Sequence, residues 1–115
     1  MKFSKSLIAA SSKPLILGIL QSGKSYGYEI IQKVKELSDG VLEWSDGMLY
    51  PVLHKLEKDG LVETQWQLSD NGRHRKYYSI TEAGKAELHA EQSNWLSIHQ
   101  VMQRLWELNQ SPAQG

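Results

Sequence analysis

The sequence predicts a mainly α-helical fold with one small β-hairpin. Three observations predict it. Before Gly60, one compact apolar run and two stretches with apolar residues at helical spacing indicate three helices. Between Val62 and Ile80 the spacing changes to every second residue, as in a β-strand, on both sides of an Asn-Gly pair typical of a hairpin turn. Helical periodicity then returns over the longest stretch of the chain. This order predicts a winged helix-turn-helix followed by a long C-terminal dimerisation helix.

Composition limits the class of protein. The 115 residues are 40% hydrophobic and 23% charged, which is typical of a globular domain. The absence of cysteine excludes a disulfide framework or a thiolate metal site and favours the cytoplasm. No run is long enough for a membrane helix or for the apolar part of a signal peptide. Because 13 Lys and Arg balance 13 Asp and Glu, nucleic-acid binding would have to depend on local charge.

The first two helices are predicted from an apolar run and from a cap. Leu15–Leu20 follows Pro14, a residue favoured in the first turn of a helix, so we expect a short buried helix there. Another short helix, over Ser4–Ala10, could precede it. Ser25 is a candidate N-cap for a second helix from Tyr26 to Leu37. Its expected core face is Ile30, Ile31, Val34 and Leu37.

The third helix should begin after a second N-cap, Ser45, and end at Gly60. Leu49, Val52, Leu53 and Leu56 would face the core. Gly47 and Pro51 are poor helix formers, and proline costs roughly 3 kcal/mol in a helix interior. We explain both by their place on the outer face, whose first residues would meet base edges in the major groove of DNA. The alternative is that Pro51 only kinks a solvated helix.

The outer face carries groups suited to DNA. Gly47 would let the backbone approach closely, and Pro51 offers a flat apolar surface to a thymine methyl. Tyr50 could donate to a phosphate, His54 could bind a purine or a phosphate, and Lys55 supplies charge. We therefore predict DNA contacts there.

The hairpin follows, with Val62, Thr64, Trp66 and Leu68 on one face of its first strand and a tight turn at Asn71-Gly72. Lys76, Tyr78 and Ile80 alternate on the returning strand, and Trp44 and Trp66 are expected in the core. A consecutive basic run could enter a minor groove or contact phosphates; the alternative is a charged edge that prevents strand pairing. This run is Arg73, His74, Arg75 and Lys76. Lys24, Tyr26 and Tyr28, near the positive end of the second helix, could hold a phosphate, although Tyr28 could equally be packing.

The last helix should be capped by Thr81 and extend to about Leu108. Its apolar arc spans roughly 160°, which predicts an isologous homodimer unless the domain itself covers the arc. The predicted interface comprises Leu88, Trp95, Ile98, Met102, Leu105 and Trp106. The two recognition helices would then lie about 34 Å apart and bind a roughly palindromic operator. Trp95 and Trp106 could bind a small planar hydrophobic effector, with core packing as the alternative.

Three blocks of sequence, taken together, resemble the PadR family of bacterial transcriptional regulators. They are SYGYEIIQKVKEL, DGMLYPVLHKLEKDGLV and NGRHRKYYSITEAGKAEL. The resemblance covers Leu15 to Leu88 and, with one helix after the hairpin, is similar to the compact branch of that family. It implies homodimers that pair through the C-terminal helix, bind operator DNA, usually repress, and are often released by an effector.

Two positions depart from the family pattern. Asp46 and Met48 stand where the family usually has a proline or other small residue and a threonine. Phosphate would repel Asp46, but its carboxylate could accept from cytosine N4 or stabilise the helix N-terminus.

The expected organisation is a DNA-binding domain over residues 1–80, a dimerisation helix over 81–109 and a frayed tail over 110–115. A winged helix that binds only protein is the main rival. An enzyme or a metalloprotein is not expected: the sequence has no nucleophile elbow, P-loop or Rossmann motif. His54 and Glu57 lack a third metal ligand, and His89 and His99 would lie roughly 15 Å apart on one helix. No cofactor is predicted.

Overall fold

The computed structural model describes residues 3–110. Its elements are α1 (Lys5–Gln21), β1 (Ser25–Tyr26), α2 (Gly27–Leu37), α3 (Asp46–Lys58), β2 (Val62–Leu68), β3 (His74–Ile80) and α4 (Glu82–Gln110). This order confirms the predicted winged helix-turn-helix with a long C-terminal helix. Gln110, expected to fray, is the last residue of α4, and the rest of the predicted tail lies outside the described residues.

Helix α1 is one continuous helix, so the prediction of a short helix starting after Pro14 was wrong. Pro14 lies inside it and cannot donate a backbone hydrogen bond. In the preceding turns the Ser11 hydroxyl donates to the Leu7 carbonyl (2.8 Å), and the Ser12 hydroxyl to the Ala9 carbonyl (2.9 Å). Tertiary packing stabilises the helix despite the proline. Burial of each apolar side chain stabilises the fold by about 1.5–3 kcal/mol, whereas the proline costs roughly 3 kcal/mol. The buried apolar side chains of α1 are Ile16, Leu17, Ile19 and Leu20.

The prediction that Ser25 is the N-cap of α2 was wrong, because Ser25 lies in the two-residue strand β1. Its partner across the sheet is Tyr78, and the strand order is β1-β3-β2 with antiparallel neighbours. Helix α2 therefore begins at Gly27, and the Ser25 hydroxyl donates to the Glu29 carboxylate (2.5 Å). Leu37, expected in the core, is 75% exposed because α2 ends there, past the core.

Helix α3 begins and faces inward as predicted. The Ser45 side chain accepts a hydrogen bond from the Met48 backbone N–H (3.2 Å). Leu49, Leu53 and Leu56 are buried, and Val52 packs against the same core. This orientation turns the opposite row of the helix toward solvent.

The hairpin turn is wider than predicted. The Gly72 N–H donates to the Ser69 carbonyl (3.0 Å), and Gly72 has a φ of +81°. The Ser69 N–H in turn donates to the Arg73 carbonyl (2.7 Å). Three residues, Asp70 to Gly72, therefore form the loop, as a turn followed by a left-handed glycine, in place of a two-residue Asn-Gly turn.

Trp66 is 65% exposed, so its predicted place in the core was wrong, whereas Trp44 is buried as expected. Along the same face of β2, Val62 is buried and Thr64 half-buried, while Leu68 is as exposed as Trp66. Strands β2 and β3 are therefore longer than the part of the sheet that packs on the core. The outer half of the hairpin, which we call the wing, therefore projects into solvent.

Thr81 caps α4 as predicted: its hydroxyl oxygen accepts a hydrogen bond from the Gly84 N–H (3.0 Å), and its O–H donates to the Gly60 carbonyl (2.7 Å). Within Glu82–Gln110, Gly84 and Leu88 are the buried residues. Leu88 is 1% exposed and packs in the core of its own chain, so its predicted place in a dimer interface was wrong. Beyond it, α4 extends away from the core. Within residues 3–110, no helix is both long and apolar enough to cross a membrane.

Candidate nucleic-acid interface

The outward row of α3 is exposed, as the helical spacing predicted. It comprises Gly47, Tyr50, Pro51, His54, Lys55 and Lys58. Lys55 forms an exposed ion pair with Asp59 (3.0 Å) one turn on. Pairs of this kind contribute about 0.3–0.5 kcal/mol, so Lys55 can exchange Asp59 for a phosphate at little cost. The row therefore offers aromatic, imidazole and ammonium groups on one side of the molecule.

The two positions that depart from the family pattern differ in orientation. Asp46 is exposed in the first turn of α3, where a carboxylate stabilises the positive end of the helix. Met48 is half-buried and packs against the hydrophobic core. Met48 is therefore explained by packing.

Tyr50 links α3 to the start of α2. A Cβ atom built on Gly27 would overlap the Tyr50 hydroxyl and would lie 2.8 Å from its Cζ. Glycine at this position therefore leaves the space in which the end of the tyrosine ring lies. Sequence reasoning did not single out Gly27, because nothing local to the segment shows which side chain approaches it.

A stack of aromatic rings and cations joins the wing to β1 and to Lys24, which precedes it. The Arg75 guanidinium lies 4.3 Å from the centre of the Tyr26 ring, and Lys24 lies 5.6 Å from that of Tyr77. Tyr26 and Tyr77 meet edge to face with their centres 5.4 Å apart. Cation–π contacts of this geometry hold a guanidinium in place without neutralising its charge. The structure thus brings Lys24, Tyr26 and Arg75, three predicted DNA-binding residues, into one cluster.

Lys76 lies on the other face of β3 and is held by an acid of α3. Its Nζ is 3.7 Å from the Glu57 carboxylate and 5.6 Å from the centre of the Tyr78 ring. Glu57 also accepts a hydrogen bond from the Thr64 hydroxyl (3.1 Å). Burial, with smaller contributions from Tyr50 and Glu57, raises the pKa of Tyr78. The inner part of the wing is therefore fastened to α3.

The four consecutive basic residues consequently differ in their surroundings. Arg73 and His74 are exposed at the tip, Arg75 stacks on Tyr26, and Lys76 pairs with Glu57. The alternation across two faces was predicted from the strand. The partners were not, since they come from distant elements.

A cleft of about 500 Å³ separates α3 from the wing. Its aromatic and basic lining includes Tyr28, Tyr50, His54, Trp66, His74 and Lys76. None of the described residues that line it is acidic. The sequence did not indicate Trp66 as a candidate here. Alternate residues of a strand share one face whether that part of the strand packs on the core or extends into solvent, so the spacing alone does not distinguish the two cases. The one available signal was the length of the hairpin.

The predicted interface on α4 is divided by the packing of α1. The Trp95 indole N–H donates to Glu91 (3.1 Å), and Glu91 forms an ion pair with Lys13 (3.1 Å). The hydrogen bond to Glu91, with help from Glu87 and against desolvation, raises the pKa of Lys13. Trp95 is thus half-buried at the point where α4 leaves α1.

The rest of the predicted α4 surface is exposed: Ile98, Met102, Leu105 and Trp106. The Trp106 ring meets His99 edge to face, with ring centres 6.4 Å apart. Eleven positions separate Trp95 from Trp106, about 16 Å along the helix, so one chain cannot enclose one small ligand between these two rings.

Comparisons with known proteins agree with this architecture. The Transcriptional regulator PadR-like family matches residues 16–90. The Negative transcriptional regulator PadR of Bacillus subtilis (strain 168) is 33% identical over 88 residues, which are 76% of this chain and 46% of that protein. This chain therefore spans about half the length of that relative.

Two solved structures are similar over most of the chain. A transcriptional regulator from Clostridium thermocellum superposes with a TM-score of 0.79 at 26% identity, covering 87% of this chain and 97% of that one. A PadR-like transcriptional regulator from Bacillus cereus strain ATCC 14579 gives a TM-score of 0.78 at 27% identity, covering 89% and 97%.

Proposed function

Because this chain belongs to the PadR-like family of transcriptional regulators, which are not enzymes, we propose that it binds operator DNA as a homodimeric repressor. The observation that carries the proposal is the common cleft of α3 and the wing: exposed basic and aromatic groups of both elements line it. Such a surface can follow the duplex from a major groove into the next minor groove.

In this proposal α3 is the recognition helix. Gly47 and Pro51 let its first turns approach the base edges, and His54 reaches a purine or a phosphate. Tyr50 and Lys55 contact the backbone. Ser45 holds the helix start in place through its cap.

The remaining contacts come from the wing and from the segment around β1. Arg73 and His74, at the tip, enter or border the minor groove. Arg75 and Lys24 flank the rings of Tyr26 and Tyr77 and are positioned to contact phosphates. Lys76, already paired with Glu57, contributes mainly by holding the wing and secondarily by its charge.

The dimer would form along α4. Past Leu88 the helix presents exposed apolar side chains that its own domain leaves uncovered. They are Leu96, Ile98, Val101, Met102, Leu105, Trp106 and Leu108. A two-fold pairing of this surface buries the same patch on both copies. It would separate the recognition helices by about 34 Å and call for a roughly palindromic operator.

We further propose that the protein represses transcription and that an effector controls its binding to DNA. The Bacillus subtilis relative is named a negative regulator, and we propose the same sign here. Release by a planar hydrophobic effector stays a prediction. It would need Trp95 or Trp106 of both copies, since the two rings of one chain lie about 16 Å apart. We expect the protein to act in the cytoplasm, where its DNA is.

The test is selection of duplexes from a random-sequence library, followed by affinity measurements on the selected sequence. Contacts with six to ten phosphates predict a loss of roughly 10³–10⁵-fold in affinity between about 50 and about 200 mM salt. A winged helix that binds only protein would retain no duplex at either salt concentration. Repression is then tested with a reporter gene behind the selected site, where an increase in expression would contradict it.

A further inference from the structure

We propose that Trp66 is a DNA-backbone contact, whose indole packs on the sugar–phosphate strand that passes between the recognition helix and the wing. This inference is based on the proposed function and adds to it a residue outside the basic run. Trp66 is 65% exposed, an unusual position for the largest apolar side chain. Its surroundings indicate what covers it.

The orientation of Trp66 follows from its neighbours on the same face of the sheet. Thr64, two residues earlier, bonds to Glu57 of α3. Lys76, directly opposite Trp66 in the strand pair, also reaches Glu57. Since side chains two apart on a strand share a face, Trp66 projects on the α3 side of the wing. It lines the cleft together with His54 and Tyr50.

The chemistry of the cleft selects one kind of occupant. Histidine and basic side chains line it, and none of its described lining residues is an acid. A cleft that is both aromatic and cationic fits a partner that is both anionic and apolar. The deoxyribose–phosphate strand has this combination, with apolar sugar carbons between phosphates. The indole matches it with a flat face and one N–H donor.

The docking geometry places such a strand in the cleft. In a winged helix-turn-helix the recognition helix enters a major groove and the wing reaches the adjacent minor groove. One sugar–phosphate strand separates these grooves and therefore crosses between the two elements. Contacts to that strand position the protein and carry no base information. Trp66 should accordingly strengthen binding to any duplex.

The experiment compares Trp66→Ala with Gln65→Ala, which changes an exposed residue on the opposite face of β2. Affinities are measured by fluorescence anisotropy on the selected duplex and on a mixed-sequence duplex. Trp66→Ala should weaken binding to both by about tenfold, the size expected from an aromatic side chain that is largely covered on binding. Trp66→Phe should recover most of this loss, and Gln65→Ala should bind as the wild type does.

Salt dependence distinguishes a contact from a structural role. A neutral indole displaces no counterion, so the slope of log affinity against log salt should be the same in Trp66→Ala as in the wild type. A slope reduced as far as in Arg75→Ala would show that the substitution displaces the basic groups of the wing, and would overturn the proposal. Equal affinities of Trp66→Ala and Gln65→Ala would also overturn it.

A second measurement uses the unsubstituted side chain and does not depend on the folding of a variant. In protein labelled with fluorotryptophan, the fluorine NMR signal that is absent from Trp66→Phe identifies Trp66. This signal should shift on saturation with duplex, whereas that of buried Trp44 should not. An unshifted Trp66 signal with bound duplex would overturn the contact and leave the proposed function standing. A wild-type chain that binds no duplex would instead remove the proposed function itself.

Discussion

The end of the Tyr50 ring occupies the space that a side chain on Gly27 would need, with its Cζ 2.8 Å from the position of a Cβ. Helix α3 and the first turn of α2 are therefore fitted to each other through one tyrosine and one glycine. Because Tyr50 is also part of the exposed outward row, this contact sets where its hydroxyl lies on the proposed DNA surface.

Gly27→Ala should weaken DNA binding while changing stability little. The added methyl must displace the tip of a flexible side chain, and alanine is better than glycine in a helix by about 1 kcal/mol, so the free energy of unfolding should change by no more than about 1 kcal/mol. Urea unfolding and anisotropy on the selected duplex measure the two quantities. In a Tyr50→Ala background the same substitution should not lower affinity further; an equal loss there would contradict the coupling.

Gly84→Ala should destabilise the fold by about 1–3 kcal/mol, as overpacking of a core does. Here a Cβ would meet the Leu61 carbonyl and lie 2.7 Å from Cγ1 of Ile80, and backbone cannot move aside as a side-chain tip can. Gly18→Ala is the matched control, since it lies inside α1 and, apart from its chain neighbours and the adjacent backbone of that helix, no atom lies within 4 Å of its Cβ position. It should stabilise the helix by about 1 kcal/mol. Thermal unfolding that ranks the two variants in the opposite order would contradict this packing.

Arg73→Ala combined with Lys76→Ala should weaken operator binding and leave the dimer unchanged. Arg73 is exposed at the tip and carries its charge to the duplex, while Lys76 fastens the wing to Glu57. Loss of one phosphate contact lowers the salt slope by about one, which anisotropy at several salt concentrations resolves. Analytical ultracentrifugation supplies the control on assembly. Unaltered affinity would remove the wing from the mechanism.

Ile98→Asp should dissociate the proposed dimer. Ile98 lies in the exposed apolar part of α4, where a carboxylate would be buried without a partner on pairing. Ser97→Asp, at the neighbouring exposed position and outside the apolar patch of α4, is the control for added charge and should leave the mass unchanged. Ultracentrifugation measures both, and duplex affinity should fall with dissociation because two linked half-sites bind together. A monomeric wild-type chain would contradict the dimer at once.

Stability should fall as pH rises above about 10. Lys13 and Tyr78 both have raised pKa values in the folded chain, so the unfolded chain loses these protons first as pH increases. Their stabilising contribution is complete below the ordinary pKa of each group, about 10 for both, and is lost as pH rises through the folded values. Urea unfolding at increasing pH measures this. The variant Lys13→Met with Tyr78→Phe should show a flatter profile; an unchanged slope would contradict the assignment.

Local signals determined the order of elements and several of their ends. The caps at Ser45 and Thr81 act within three residues, and both are found where the sequence predicts them. The inward row of α3 follows from helical spacing alone. Its outward row, which carries most of the candidate recognition residues, was predicted by the same argument, because residues that do not face the core must face away from it.

What the tertiary structure decided depends on contacts between distant segments. Ser25 looks like a helix cap, yet pairing with Tyr78 makes it part of a strand. Trp66 and Leu88 both occupy apolar stripes, but one lies past the edge of the core and the other within it. Periodicity shows which face a residue shares with its neighbours and carries no information on where the packed layer ends. That limit is set by the lengths and crossing points of other elements, which is why the exposed tryptophan of the cleft became visible only in the folded chain.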